Sequence, residues 1–168
     1  MAETVKQYIS RIRGYVGGKD PLRVQAATPG RIRKLVRRLP ARRLKRRPAP
    51  RKWSIAEILA HLAEAELVGG YRIRMILSKP GTPIQAFDQD VWAKVGRYRE
   101  LDARKSLEMF CTLRQGNLTL LRSLTPRQWK QYGLHQERGK ETVARIAEMF
   151  AGHDINHLGQ IERLAGGK

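Results

Sequence analysis

Cysteine occurs once in 168 residues, at Cys111, which excludes an internal disulfide and points to a reducing compartment. Acidic side chains are scarce as well: 15 Asp and Glu stand against 34 Lys and Arg, a formal charge of +19, so an anionic partner has to be weighed. No apolar run reaches the ~18 residues that a membrane-spanning helix needs, and Met1 to Lys6 contain no apolar signal core. Strand-like alternation, long repeats and low-complexity tracts are missing too. These absences lead us to expect a soluble, cytoplasmic, all-α protein with no membrane partner.

What is present is enough apolar material, 41% of the residues, for one domain with a real core over 1–168. Val5, Ile9, Ile12 and Val16 follow a helical period that Gly17-Gly18 ends, giving an accessory N-terminal helix at about 2–17. Thr28-Pro29 reads as the start of a short second helix with Ile32, Leu35, Val36 and Leu39 on one stripe. Residues 40–52 hold three prolines and read as a connection. Ser54 and Glu57 form the S-x-x-E capping pattern that opens the longest helix, stopped near Ser78 by Pro80-Gly81-Thr82-Pro83.

No period holds from Pro80 to Leu101 apart from a turn or two between Gln89 and Val95. A connection this long is what two bundle helices running the same way require. Asp102 is the expected N-cap of the next helix, and Thr125-Pro126 ends it and opens a short one through Trp129. Residues 133–140 read as loop, and a last helix is expected from Glu141 or Thr142 to Gly166. Cys111, among Leu107, Phe110 and Leu118, reads as a small core residue.

That last helix carries His153 and His157, four residues apart and therefore on one face, the face of Ile146, Phe150, Ile161 and Leu164. In the longest helix His61 falls beside Ile58, Ala65, Val68 and Ile76. Three imidazoles on inward faces are costly to bury without partners, and a shared cation relieves that cost. Three neutral imidazoles would leave coordination positions open, as a catalytic site requires.

The segments W-S-I-x-E-x-L-x-H-L at 53–62 and G-H-D-x-N-H-L-x-Q-I at 152–161, in that order, resemble the DinB/YfiT-like metalloenzyme superfamily. Phe87-Asp88-Gln89-Asp90-Val91-Trp92 and the Gly133-Leu134-His135 to Gly139 stretch extend the likeness. The resemblance implies a four-helix bundle running up-down-down-up, with a long crossover between the second and third helices. It also implies a divalent metal on His61, His153 and His157. Relatives in the superfamily include thiol-dependent S-transferases, so thiol transfer or metal-assisted hydrolysis of a small-molecule substrate is implied. The metal would be nickel, zinc, manganese or iron, with a low-molecular-weight thiol as the other candidate cofactor.

Glu57, one turn before His61, is the candidate general base, although its capping role already explains it. Asp154 and Asn156 flank the histidine pair and are candidates to orient an imidazole. Asp88, Asp90 and Trp92 are candidates to cover the open side of the site, and His135, in the expected loop, reads as solvated or capping. Arg114 and Glu66 are expected to form a buried, structural ion pair.

Between Pro21 and Ala56 there is no acidic residue, and 31–52 is rich in arginine. The run lacks interleaved aromatics for base stacking, so a solvated basic surface is favoured over a nucleic-acid-binding module. A non-enzymatic or vestigial metal-binding, stress-related bundle is the other rival to an enzyme. A homodimer is compatible with everything above.

Overall fold

A computed structural model describes residues 3–166 of the chain. The long helix α4 (Ile55–Ser78) begins where the S-x-x-E pattern puts it. Ser54 is its N-cap, its side chain accepts from the Glu57 amide, and the Glu57 carboxylate accepts from the Ser54 amide at 2.9 Å. Three further long helices complete the bundle: α2 (Pro21–Val36), α6 (Ala103–Arg122) and α8 (Val143–Gly166). Helix α1 (Val5–Val16) packs outside them on α8. It starts after the N-cap Thr4, and Ala2, where the accessory helix was expected to begin, lies outside the described residues.

Side-chain pairings fix the helix directions. Glu66 and Gly70 of α4 meet Arg114 and Asn117 of α6 in the same order, so these two run parallel. Gln25 and Arg31 of α2 meet Ala147 and Glu162 of α8, again parallel. Gly69 and His61 of α4 meet Phe150 and His157 of α8 in reversed order. The course is therefore up-down-down-up. The 79–102 crossover between α4 and α6 is pinned by the buried Tyr98, whose hydroxyl donates to Glu64 on α4.

Three expectations need correction. Helix α2 begins at Pro21, capped by Asp20, and Pro29 lies inside it. A proline there leaves the carbonyl four residues back without its helical donor, and the Gln25 carbonyl instead accepts from Arg114 Nη1 at 2.8 Å. Residues 40–52 include a one-turn helix, α3 (Ala41–Lys45), whose Leu44 is buried in the core. Residues 133–140 are mostly strand rather than loop.

In that region β2 (Tyr132–His135) and β3 (Gly139–Thr142) form an antiparallel hairpin, and β1 (Pro83–Ile84), from the crossover, pairs parallel with β2. Strands of two to four residues are too short to display a period-2 pattern. Helix α5 (Gln89–Val95) occurs where a turn or two was expected, and the short helix α7 (Pro126–Trp129) lies where Thr125-Pro126 puts it. Among the described residues no helix is long and apolar enough to cross a membrane.

Two glycines near the histidines have no room for a side chain. A Cβ on Gly69 would stand 2.2 Å from the Phe150 ring, and one on Gly152 would stand 2.0 Å from the Ile12 carbonyl oxygen. A larger residue at Gly152 would push α1 off α8, and one at Gly69 would displace the Phe150 ring.

Candidate metal centre

His61 sits two turns into α4, and His153 and His157 lie one turn apart on α8. Their Nε2 atoms converge: His61 to His153 is 2.9 Å and His157 to His153 is 3.1 Å. His61 and His157 are buried and His153 is half-buried, its edge open to a cavity. One Nε2 can be a donor or an acceptor, not both, and its single in-plane bond serves one neighbour. His153 Nε2 is nonetheless approached by two other ring nitrogens. In a protein-only arrangement at least one of these contacts is unsatisfied. Three lone pairs around one cation satisfy all of them, and a purely nitrogen donor set suits a borderline divalent transition ion.

The tautomers support this donor set. Gln160 Oε1 accepts from His157 Nδ1 at 2.9 Å, which puts the His157 proton on Nδ1 and leaves Nε2 as a lone pair facing the other two rings. Burial, with a smaller push from His157, moves His61 down to about 3. Burial moves His157 down to about 4 against the opposing pull of Gln160. His153 lies well below its ordinary value for the same first reason, with His157, His61 and Arg114 adding to it. All three rings are neutral at pH 7, the form that ligates metal. Trp53 braces His61, ring centroids 4.9 Å apart, and Tyr98 packs against the edge of Trp53 at 6.2 Å.

The flanking residues do other work. Asp154 is fully buried and turned away from the rings: both its oxygens accept from Arg114, which also donates to Glu66 at 2.9 Å. The Arg114–Glu66 pair is present as expected, with Asp154 as a third member, and Asp154 orients no imidazole. Asn156 accepts from Arg11 at 3.4 Å rather than holding a ring. Glu57 is buried with its carboxylate committed to Ser54 and to the guanidinium of Arg47. Burial works against its ionisation, but Arg47 and Ser54 outweigh it and hold the carboxyl below its usual range. It is an anchored cap.

His135 is buried on β2, not solvated. Its Nδ1 accepts from the Glu137 amide at 3.1 Å, and burial, followed by the nearby Arg138, brings it down to about 4. Asp88 caps α5, while Trp92 stacks on Phe87 at 4.7 Å.

Two cavities meet at the rings. One, of about 330 Å³, is lined by His61 and His153 together with Ala65, Val68, Phe87 and Phe150, and has Arg72 and Arg138 on its wall. The other, of about 710 Å³, reaches His153 and His157 past Trp53, Gln160, Arg51, Lys52 and Arg163. From the crossover, Gln89 lines both cavities and Asp90 the second. Gln160, Trp53 and Arg72 were not singled out from sequence. Gln160 was readable there, because a residue three positions after a histidine on a helix faces it.

The fold is a four-helix bundle with a long crossover, and three imidazoles converge inside it. The chain belongs to the DinB superfamily, whose sequence pattern matches residues 26–161. It is 25% identical over 112 residues to "Putative metal-dependent hydrolase OB0782" of Oceanobacillus iheyensis, covering 67% of this chain and 64% of that protein, just under two thirds of its length. It is 23% identical over 135 residues to "Putative metal-dependent hydrolase BH0277" of Halalkalibacterium halodurans, covering 80% and 78%. The fold is that of a solved structure described as "YfiT from Bacillus subtilis is a probable metal-dependent hydrolase with an unusual four-helix bundle topology". The TM-score is 0.78 at 19% identity, over 99% of this chain and 92% of that one.

Proposed function

We propose that the chain is a metal-dependent enzyme in which His61, His153 and His157 hold a divalent cation, and that it acts on a small molecule entering the 330 Å³ cavity. The observation that carries this reading is the approach of two ring nitrogens to His153 Nε2 at 2.9 and 3.1 Å, an arrangement that neutral imidazoles alone cannot satisfy. A cation held there supplies Lewis-acid polarisation of a substrate atom or a lowered pKa for a bound water or thiol. The chain's own contribution is to keep the three rings neutral, to fix the His157 tautomer through Gln160, and to shield the site with Trp53 and Phe150. The reaction is metal-assisted hydrolysis or thiol-dependent S-transfer, and the names of the relatives favour hydrolysis. The single cysteine fits a cytoplasmic setting.

The test is elemental analysis of protein purified without affinity tag or chelator. About one nickel, zinc, manganese or iron per chain is expected, and His61→Ala or His157→Ala should each lose it. Wild-type protein that stays metal-free after incubation with each ion would overturn the reading. Turnover of activated esters and electrophiles, with and without a low-molecular-weight thiol, then separates hydrolysis from transfer. A vestigial metal-binding bundle would turn over neither.

A further inference from the structure

The cavity above His61 continues along α4. His61, Ala65, Val68 and Arg72 line it at positions i, i+4, i+7 and i+11, a single stripe on one helix face. Eleven residues correspond to a rise of about 16 Å along the helix, a span that is shortened where long helical side chains lean toward the N-terminal end, as they usually do. Ala65, Val68, Phe87, Met149 and Phe150 give the wall an apolar side, while Thr4, Tyr8 and Gln89 add polar groups to it.

Arg72 is half-buried, and its guanidinium carbon lies 5.5 Å from the centroid of the Phe87 ring. Its guanidinium donates to a neutral acceptor, the Gln85 carbonyl oxygen. Among the described residues no carboxylate forms an ion pair with it. Glu141, the buried carboxylate nearby, is taken by Arg138 in a two-pronged contact at 2.7 and 2.9 Å. Glu3 is likewise taken by Arg11 at 2.7 and 2.8 Å. A guanidinium withdrawn from water without an anion is under-compensated. Burial, reinforced by Arg138, brings the Arg72 pKa down to about 10.

We propose that Arg72 is an anion subsite of this cavity, and that the substrate is an apolar small molecule bearing a carboxylate at the end remote from the three histidines. The inference rests on the proposed metal-dependent function for its reacting end only. A planar, forked donor matches a carboxylate. A singly charged anion is favoured because Glu3 and Glu137 also line the cavity and would oppose a dianion.

The test uses octanoate and its neutral isostere octanamide as probes, titrated by NMR into metal-loaded and chelator-treated full-length protein. Octanoate should bind roughly tenfold more tightly than octanamide to both forms, the worth of one charge-assisted contact. Arg72→Met should erase that preference, Arg72→Lys should retain part of it, and the control Arg74→Met should leave it intact. Circular dichroism of each variant checks folding, and Arg72→Lys keeps the question open to measurement if Arg72→Met does not fold. Equal binding of the two probes, or no octanoate binding, overturns the subsite. So does a preference that survives Arg72→Met. If that surviving preference disappears on metal removal, the carboxylate sits on the metal: the subsite fails and the metal site stands. An Arg72-dependent preference in protein that takes up no ion supports the subsite while the metal-dependent function fails.

Discussion

His157 Nδ1 donates to Gln160 Oε1 across 2.9 Å, one helical turn away, so the proton that would block Nε2 is held on the far side of the ring. An outer partner of this kind orients a ligand and raises its basicity, and its loss typically costs 10–100-fold in metal affinity. Gln160→Leu should therefore weaken metal binding by about that factor with little change in fold stability. Competition against a chelator of known affinity measures it. Affinity equal to wild type would show that the ring is set by packing alone.

The pH behaviour follows from the same burial. Unfolded histidine titrates near ~6.5, whereas burial places His61 at about 3 and His157 at about 4 in the fold. Between those limits the unfolded chain binds protons that the folded chain does not, so stability rises with pH. In metal-free protein this contribution is complete above ~6.5 and is lost as pH falls toward the folded values. Urea denaturation of metal-free protein from pH 7 to 4 should show the decline, and a variant with all three histidines changed to Gln should flatten it. Metal should also stay bound while the fold survives. Release from folded protein with a midpoint near ~6.5 would contradict neutral, buried ligands.

Legibility from sequence tracked the range of the interaction. Ser54, Glu57 and the prolines after Ser78 delimit α4 by local rules, and the i, i+4 spacing of His153 and His157 shows a shared face. The 79–102 crossover implied the parallel α4–α6 pair. The rest depended on distant partners. Pro29 looks like a helix start until Arg114, 85 residues on, takes the carbonyl it frees. Asp154 sits beside His153 in sequence but belongs to Arg114 in space. The hairpin at 132–142 is held by pairing and by β1, not by any strand pattern of its own.

Arg114 ties three helices through Gln25, Glu66 and Asp154, and it is 1% exposed. Arg114→Met would leave two buried carboxylates uncompensated, a loss of about 3–5 kcal/mol. For a chain of this size that lowers Tm by roughly 6–20 °C. Adding Glu66→Leu and Asp154→Leu should recover part of the loss, because the unpaired charges are then gone. A single variant as stable as wild type would mean that water reaches the carboxylates.

The arginine run at 31–52 divides by burial rather than acting as one surface. Arg42 and Arg46 are exposed, whereas Arg47 grips the buried carboxylate of Glu57 and Arg43 donates to the Leu164 and Ala165 carbonyls at the end of α8. Arg42→Gln with Arg46→Gln should leave stability within about 0.5 kcal/mol of wild type, and metal content should not change. Arg47→Gln removes a charge-assisted contact to a buried group and should cost about 1–3 kcal/mol, with Glu57→Gln in the same chain restoring part of it. If exposed members of the run bound nucleic acid, the Arg42, Arg46 pair would flatten the slope of log affinity against log salt by about one unit per lost phosphate contact. With no aromatic platform among residues 31–52, we expect weak duplex binding that disappears at physiological salt. Submicromolar binding at that salt, lost in the double variant, would instead make this face a nucleic-acid surface independent of the three histidines.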